Sequence, residues 1–298
     1  MANSDDRRFS MTRGSRRYAM AAIAVASFCV SPLAAQDGAP SSVNRAALCV
    51  DVESGRILYE RNADTQLFPA SLTKMMTLYE LFSALDRDEV HITDSLTVSE
   101  RASAQLPSKL GLRAGDTIPI DTAIRAITVL SANDVAVTIA ENLGGTEDAF
   151  SARMTADAKT MGMVNTQFVN ASGLPNPDQH ASARDLYVLA RRLLTAFPEY
   201  YHYFSLEALA WKGRAFSTHN HLLGKVDGVD GIKTGYIRAS GFHLVASAER
   251  ADHRLIAVVM GEPTARQRDE AVARLLDAEF AVLADETTSR TLASSDSH

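Results

Sequence analysis

Strand-like segments stand at both ends of this chain with helix-like segments between them, and this order constrains the fold most. Near the start, the apolar residues 46–50 and 56–60 flank a Ser-Gly turn, a pattern that predicts a β-hairpin. Near the end, residues 242–248 and 255–260 form two more apolar runs. Strands from both ends of a chain can pair in one sheet, so the sequence predicts an α+β fold rather than alternating βαβ units.

The middle of the chain is mainly helical. Apolar residues at helical spacing, from Leu72 to Phe82, predict a helix that runs from residue 71 to residue 85. We expect the helices to pack on the sheet or to form a lobe of their own. Further helices are predicted at residues 122–130, 134–142, 147–162, 183–197 and 266–283.

The composition is that of a soluble globular protein. Of the 298 residues, 46% are hydrophobic and 22% are charged. The net charge is −6 and there is no long basic run, so nucleic-acid binding is not expected. The eight histidines show no His-Glu-x-x-His spacing, which argues against a zinc carboxypeptidase, and we expect no metal or other cofactor in catalysis.

The N-terminus has the layout of a secretory signal peptide. A basic region at Arg13, Arg16 and Arg17 precedes the apolar residues 18–30, and cleavage is predicted after Ala35. A membrane-spanning helix would need ~20 apolar residues. We therefore expect export to the periplasm or the medium.

The remaining chain divides into three parts. Residues 36–42 are predicted to be a flexible leader, residues 43–283 one catalytic domain, and residues 284–298 a frayed polar tail. Once the signal peptide is removed, Cys49 is the only cysteine, so no internal disulfide can form. Because Cys49 lies in a strand-like apolar run, we expect a buried, unreactive thiol.

Three short segments carry residue types that suit nucleophilic catalysis. In the first, Ser71-Leu72-Thr73-Lys74, the serine and the lysine stand three residues apart and share one face of a helix. A serine hydroxyl is a weak nucleophile until a base takes its proton, and a lysine can be that base if burial and nearby positive charge lower its pKa. By itself, this segment is better explained by an N-cap serine and a solvated lysine.

The second segment is Ser131-Ala132-Asn133, in a break between two helical stretches. Its hydroxyl could pass a proton to a leaving amine, and its amide could hold a substrate amide with both donor and acceptor. An N-cap role for Asn133 explains the segment equally well in isolation.

The third segment is Lys233-Thr234-Gly235. A lysine and a hydroxyl on a strand beside a cleft suit a carboxylate, and glycine lets a substrate backbone approach closely. The alternative is a simple turn, because several glycines stand nearby.

In this order, the three segments resemble the signature set of the penicillin-recognising serine enzymes, and within them the low-molecular-mass D-alanyl-D-alanine carboxypeptidases. The resemblance extends over residues 43–283. It implies a serine β-lactamase/DD-peptidase-like α+β fold, with an antiparallel sheet flanked by helices and a mainly helical subdomain. It includes more than the three segments, namely residues 69–77 around the first segment, residues 171–175, 220–223 and 242–248, and His180, Arg184 and Asp185.

The resemblance implies a role for each matched residue. Ser71 would form an acyl-enzyme with a D-Ala-D-Ala peptide, Lys74 would be the general base, and Ser131 would relay a proton to the departing D-alanine. Asn133 would bind the peptide amide. The carboxylate would be bound by Lys233 and Thr234, with Arg268 near it, and Gly235 would let the substrate backbone approach. The backbone N–H groups of Ser71 and Tyr236 would form an oxyanion hole.

Some features depart from the family pattern or leave a choice open. Ala132 replaces a glycine, and Ile237 removes a hydroxyl near the substrate carboxylate, which affects substrate preference more than catalysis. Arg268 is either a carboxylate-binding residue or a solvated helix residue. Many relatives continue with a β-rich domain and an amphipathic membrane anchor, neither of which is evident here, so the expectation is a soluble periplasmic protein.

Three other functions compete with a carboxypeptidase that acts on peptidoglycan stem peptides and is acylated by β-lactam antibiotics. A DD-endopeptidase that cleaves cross-links would use the same site with a wider cleft. A β-lactamase would need a Glu-x-x-x-Asn segment for its deacylating water, and none stands between Asn133 and Lys233. A catalytically silent penicillin-binding module is disfavoured because all three segments are intact.

Overall fold

A computed structural model describes residues 45–295, with side chains described up to residue 288. The predicted signal peptide at 1–35 and the predicted leader at 36–42 lie outside the described residues. Helices and strands alternate with loops from residue 46 onward. The strands are β1 (Ala46–Asp51), β2 (Ile57–Arg61), β3 (Ser95–Thr97), β4 (Thr117–Pro119), β5 (Ala208–Trp211), β6 (Arg214–Ser217), β7 (Val229–Ile237), β8 (Gly241–Arg250) and β9 (His253–Glu262).

The helices account for most of the middle of the chain, as predicted. They are α1 (Lys74–Asp86), α2 (Glu100–Ser103), α3 (Ile120–Arg125), α4 (Asn133–Gly144), α5 (Glu147–Thr160), α6 (Ala183–Ala196), α7 (Pro198–Tyr201) and α8 (Ala265–Ser295).

The main sheet joins both ends of the described chain, as the order of apolar segments predicts. It has five strands in the order β2-β1-β9-β8-β7. Every neighbouring pair is antiparallel. Since β1 pairs with β9, the N-terminal hairpin and the C-terminal strands form one surface, and the predicted α+β class is confirmed.

The sheet is buried on both faces. Along β1, Leu48 and Val50 pack into the core shared with the helical middle of the chain, and Cys49 packs on the opposite face. That opposite face is covered by α8 through residues such as Leu276. The prediction that Cys49 is buried is confirmed.

Helix α1 lies at the centre of the helical part. Apolar residues are buried all around it, including Met75, Leu78 and Phe82. A helix that is buried on every side is held in position by packing along its whole length. The residues at its N-terminus therefore have a fixed place relative to the sheet.

Two predicted helices begin or end differently from the prediction. The predicted helix from residue 71 begins as a 3₁₀ turn, Ala70–Thr73, and becomes α-helical only at Lys74. The predicted helix at 122–130 is α3 followed by a π-helical turn, Ala126–Leu130. Such turns are short departures that apolar spacing cannot distinguish from an α-helix.

Two small sheets were not predicted. Strands β3 and β4 pair with each other, and so do β5 and β6. Each of these strands has three or four residues, which is too short to produce a clear alternation of apolar and polar residues.

Helix α8 is longer than predicted. The sequence predicts a frayed tail from residue 284, but the helix continues to Ser295. Leu283, within the helix, is buried against the sheet, and an ion pair of 2.9 Å joins Glu286 of the helix to Arg56, just before β2. These contacts lie on both sides of the predicted end of the helix. No described helix combines the length and the apolar character that crossing a membrane requires.

Candidate active site

Ser71 and Lys74 meet where the 3₁₀ turn joins α1. With three residues per turn, the two side chains lie on the same side of the helix, and Lys74 Nζ is 3.1 Å from Ser71 Oγ. The residue before the serine, Ala70, has a φ of +50°, a left-handed conformation that is costly for a residue with a side chain. The serine therefore stands on a sharp, strained turn.

Lys74 is completely buried and has two further partners. Its Nζ lies 2.7 Å from Asn133 Oδ1 and also contacts the carbonyl oxygen of Ser172. Burial, and next the charge of Lys233, lower the pKa of Lys74 well below its usual value, and Asp134 opposes this. The environment thus favours the uncharged amine, which can accept a proton.

Asn133 is the first residue of α4, and its amide is engaged within the protein. Its Nδ2 donates to the carbonyl oxygen of Leu106 at 2.9 Å, which directs Oδ1 toward Lys74. The predicted role of Asn133 is to bind a substrate amide. An amide nitrogen has a second hydrogen, so this role is compatible with the internal bonds.

Ser131 ends the π-helical turn in the left-handed conformation, with φ 60° and ψ 40°. Its Oγ atom is buried and has no hydrogen-bond partner in the described part of the chain. Since a buried polar group normally finds a partner, this free hydroxyl, which lines the same cavity as Ser71, is available to a substrate.

Asp134 fixes the loop that faces these residues, a role that the sequence did not reveal. Its carboxylate accepts hydrogen bonds from the backbone N–H groups of Leu110, Gly111 and Leu112 at 2.8 to 3.1 Å. The start of α4 and one wall of the site are thereby tied together.

The third predicted segment lies on β7, which confirms a strand and excludes a turn for these residues. A Cβ atom added to Gly235 would lie 3.0 Å from the carbonyl oxygen of Pro69 and 3.2 Å from Leu72 Cγ. Glycine therefore lets β7 run directly against the serine-bearing turn. Thr234 lines the cavity beside it.

Lys233 and Arg268 provide the positive charge of the site. Lys233 is buried, and burial, followed by the charge of Arg268, lowers its pKa to about 7. Its Nζ donates to the carbonyl oxygen of Thr234 at 3.0 Å. Arg268 is only 3% exposed and lies 2.5 Å from the carboxylate of Asp269, so it is not a solvated helix residue.

A loop between α5 and α6 completes the site. Gly173 has a φ of +81°, and a Cβ atom at this position would collide with the carbonyl oxygen of Ala70. The loop also supplies the Ser172 carbonyl that contacts Lys74. Only glycine allows the loop to approach the serine-bearing turn this closely.

The predicted residues converge on one cavity of about 360 Å³. Ser71, Ser131, Asn133, Thr234, Gly235, Tyr236 and Arg268 all line it, and Lys74 and Lys233 are buried next to it. Tyr236 is 52% exposed and stacks on Phe242 at 4.2 Å, so it forms part of the rim. The oxyanion hole assigned to the N–H groups of Ser71 and Tyr236 stays a prediction.

Two histidines in the cavity wall, His219 and His221, were not predicted to be site residues. Burial and the charge of Lys233 lower the pKa of His219 to about 4, so its ring is neutral. His221 lies 3.0 Å from Asp269, the partner of Arg268. His221 lies in the segment 220–223 that carries the family resemblance, but no role was assigned to it, and no pattern pointed to His219, which reaches the cavity from a loop.

Taken together, the geometry supports acyl transfer. A serine with a buried lysine at hydrogen-bonding distance supplies a nucleophile and a base. Lys233 and Arg268 next to an open cavity suit a substrate with a carboxylate.

Comparison with known proteins gives a consistent result. A sequence model of the family described as D-alanyl-D-alanine carboxypeptidase matches residues 34–264. D-alanyl-D-alanine carboxypeptidase DacF from Bacillus subtilis is 33% identical over 87% of this chain and 68% of its own length. The chain spans 60% to 68% of the length of the curated DacA, DacC, DacD and DacF relatives it matches.

Solved structures share the fold. Penicillin-binding protein 5 from Haemophilus influenzae is 34% identical, with a TM-score of 0.77 over 81% of this chain and 72% of that one. Penicillin-binding protein D2 from Listeria monocytogenes, in its ampicillin-bound form, is 32% identical with a TM-score of 0.72 over 79% of this chain and 96% of that one. The predicted DD-peptidase-like fold is thereby confirmed.

Proposed function

Because this chain belongs to the D-alanyl-D-alanine carboxypeptidase family, we propose that it removes the terminal D-alanine from peptidoglycan stem peptides through an acyl-enzyme on Ser71. The contact of 3.1 Å between Ser71 Oγ and the buried Lys74 Nζ carries the proposal. It supplies the activated nucleophile that the reaction needs.

In the acylation step, Ser71 Oγ attacks the carbonyl carbon of the penultimate D-alanine and its proton passes to Lys74. An amine of lowered pKa accepts this proton more readily than a solvated lysine, which is already charged at neutral pH. The peptide C–N bond then breaks, and an ester joins Ser71 to the shortened peptide. Lys74 gives this proton through Ser131 to the leaving amine and becomes neutral again, and the hydroxyl of Ser131 has no other partner among the described residues.

In the deacylation step, water attacks the ester and gives its proton to Lys74. Ser71 recovers its hydroxyl and the shortened peptide leaves with a new carboxylate. Arg268, Thr234 and Lys233 hold the terminal carboxylate of the substrate during acylation, because they place two cationic side chains and a hydroxyl at one side of the cavity.

The same chemistry accounts for reaction with β-lactam antibiotics. A penicillin presents a strained amide and a carboxylate, and attack by Ser71 would open the ring and leave the antibiotic on the serine. The ampicillin-bound form of the Listeria relative supports this part of the proposal.

Export follows from the predicted signal peptide, since the substrate lies outside the cytoplasm. We therefore place the enzyme in the periplasm or outside the cell. Labelling intact and osmotically shocked cells with a membrane-impermeant reagent would locate the protein, and a protein found only in the cytosol would contradict this placement.

A DD-endopeptidase is the second candidate, because the cavity opens to solvent past the exposed Tyr236 and could admit a longer donor chain. Incubation with a pentapeptide and with cross-linked dimers separates the two functions. Released D-alanine from the pentapeptide alone supports the carboxypeptidase. Cleaved dimers without release of D-alanine from the pentapeptide would support the endopeptidase.

A further inference from the structure

Three potential metal ligands meet at the end of the sheet that lies away from Ser71. Asp51 is the last residue of β1, His253 is the first residue of β9, and Glu53 lies in the turn after β1. At the other end of β9, Glu262 pairs with Phe242, which lines the active-site cavity. The cluster is therefore separate from the catalytic residues.

The distance between His253 and Asp51 in this cluster fits a shared cation better than a direct hydrogen bond. One ligand atom from each of the three side chains lies within 4.8 Å of the other two. His253 Nδ1 is 3.7 Å from Asp51 Oδ2, which is too long for a hydrogen bond. Two ligands at ~2.1 Å from a tetrahedral metal ion stand about 3.4 Å apart, close to this separation.

Two buried atoms in the cluster have no hydrogen-bond partner among the described residues. They are Oδ1 of Asp51, a residue that is only 3% exposed, and Nδ1 of His253. Buried polar groups are normally satisfied by protein, water or an ion. No other group of three His, Cys, Asp or Glu side chains in the described part of the chain lies this close together.

Neighbouring groups already hold the carboxylates in place. Ser54 Oγ donates to Asp51 Oδ2 at 2.6 Å, and the backbone N–H of Arg254 donates to Glu53 Oε2 at 3.0 Å. Hydrogen bonds of this kind orient the ligands of metal sites. Glu53 is exposed and His253 is partly exposed, so an ion can enter and water can complete its coordination.

We propose that Asp51, Glu53 and His253 bind one divalent transition-metal ion of the Zn²⁺ type. An imidazole together with two carboxylates suits such an ion, whereas Ca²⁺ and Mg²⁺ prefer oxygen ligands alone. The ion joins the turn between β1 and β2 to the start of β9 and stabilises this end of the sheet. It takes no part in hydrolysis.

Titration calorimetry of the whole protein, purified without a histidine tag, tests this proposal with ZnCl₂ as the probe. We expect one Zn²⁺ per chain at this site and weaker binding of CaCl₂ and MgCl₂. His253→Gln and Glu53→Gln should each weaken Zn²⁺ binding at least about tenfold, since even the loss of a supporting residue costs that much. The melting temperature should rise with Zn²⁺ in the wild type and much less in the variants.

His91→Gln is the matched control. His91 is an exposed histidine with Asp94 at 3.5 Å, a similar pair that is not part of a three-ligand group. This variant should bind Zn²⁺ as the wild type does. The absence of stoichiometric binding, or equal losses in all three variants, would overturn the proposal. Circular dichroism and penicillin acylation of each variant establish that it is folded. If His253→Gln does not fold, Glu53→Gln, at an exposed position, still tests the proposal.

Discussion

Lys74 Nζ lies 3.1 Å from Ser71 Oγ, and its two other partners, Asn133 Oδ1 and the Ser172 carbonyl oxygen, are both acceptors. An uncharged amine has two N–H groups and one lone pair. If the two N–H groups serve the two acceptors, the lone pair faces the hydroxyl of Ser71. This arrangement is what a neutral lysine acting as a general base requires.

Replacing this base should slow acylation strongly without unfolding the protein. In Lys74→Met we expect the second-order rate of penicillin acylation to fall by about 10²–10⁴, the usual contribution of general base catalysis. The melting temperature should not fall, because an apolar side chain of similar length removes the cost of burying an amine. Lys159→Met, at an exposed position, is the control, and acylation of Lys74→Met at the wild-type rate would contradict the assignment.

The pH dependence of acylation should depend on Lys233. Only unprotonated Lys74 can take the proton from Ser71, so the rate rises as pH increases through the lowered pKa of Lys74. The charge of Lys233 helps to lower the pKa of Lys74. Lys233→Gln should therefore raise the pKa of Lys74 and move the rise in acylation rate to higher pH. In the wild type, the KM for the pentapeptide should also increase above about pH 7, where Lys233 loses its charge. A pH profile of penicillin acylation in the wild type and in Lys233→Gln measures the pH at which the rate rises. The same pH in both proteins would show that Lys233 does not affect the pKa of Lys74.

Ser131 should show opposite effects on stability and on activity. Its left-handed backbone costs energy that glycine avoids, so Ser131→Gly should raise the free energy of unfolding by up to about 1 kcal/mol. Turnover of the pentapeptide should fall about 10²-fold with loss of the hydroxyl. Urea unfolding measures the first effect. Ser131→Ala distinguishes the effect on stability from the effect on turnover. This variant should lose activity without any gain in the free energy of unfolding.

Gly173 should affect the position of the turn that carries Ser71, in addition to the conformation of its own backbone. Gly173→Ala places a methyl group against the Ala70 carbonyl, so both stability and acylation should fall. Gly162→Ala is matched, since Gly162 also has a positive φ, of +89°, but nothing within 4 Å. We expect this control to lose about 1–3 kcal/mol from strain alone and to keep its acylation rate. Equal acylation rates in the two variants would mean that the loop does not position Ser71.

Arg268 should act mainly on binding. Arg268→Lys retains the charge but loses the planar fork that suits a carboxylate, so KM for the pentapeptide should rise about tenfold or more with a smaller change in kcat. The control is Arg266→Lys, whose side chain is 86% exposed. Steady-state kinetics of both variants measure the effect, and a fall in kcat with constant KM would argue against carboxylate binding.

Much of this architecture could be predicted from the sequence. Long elements such as β1 and α6 have apolar spacing that tertiary packing reinforces. The order of Ser71, Ser131 and Lys233 indicated one site, because three segments far apart in the chain matched one chemistry. Arg268 could not be decided from sequence, since only its burial distinguishes a carboxylate ligand from a solvated residue.

The remaining features depend on tertiary contacts. His219 reaches the cavity from a loop whose path no local pattern describes. The ion pair between Glu286, beyond the predicted end of α8, and Arg56 joins two residues that are distant in the sequence. The engagement of Asn133 with Lys74 and Leu106 likewise arises only when α1 and α4 pack together.

Mass spectrometry of the protein after incubation with penicillin shows directly whether Ser71 is an acylating nucleophile. We expect one covalent adduct per chain, located on the peptide that contains Ser71, and none in Ser71→Ala. A folded wild-type protein that forms no adduct, or a Ser71→Ala variant that forms the same adduct, would contradict the account.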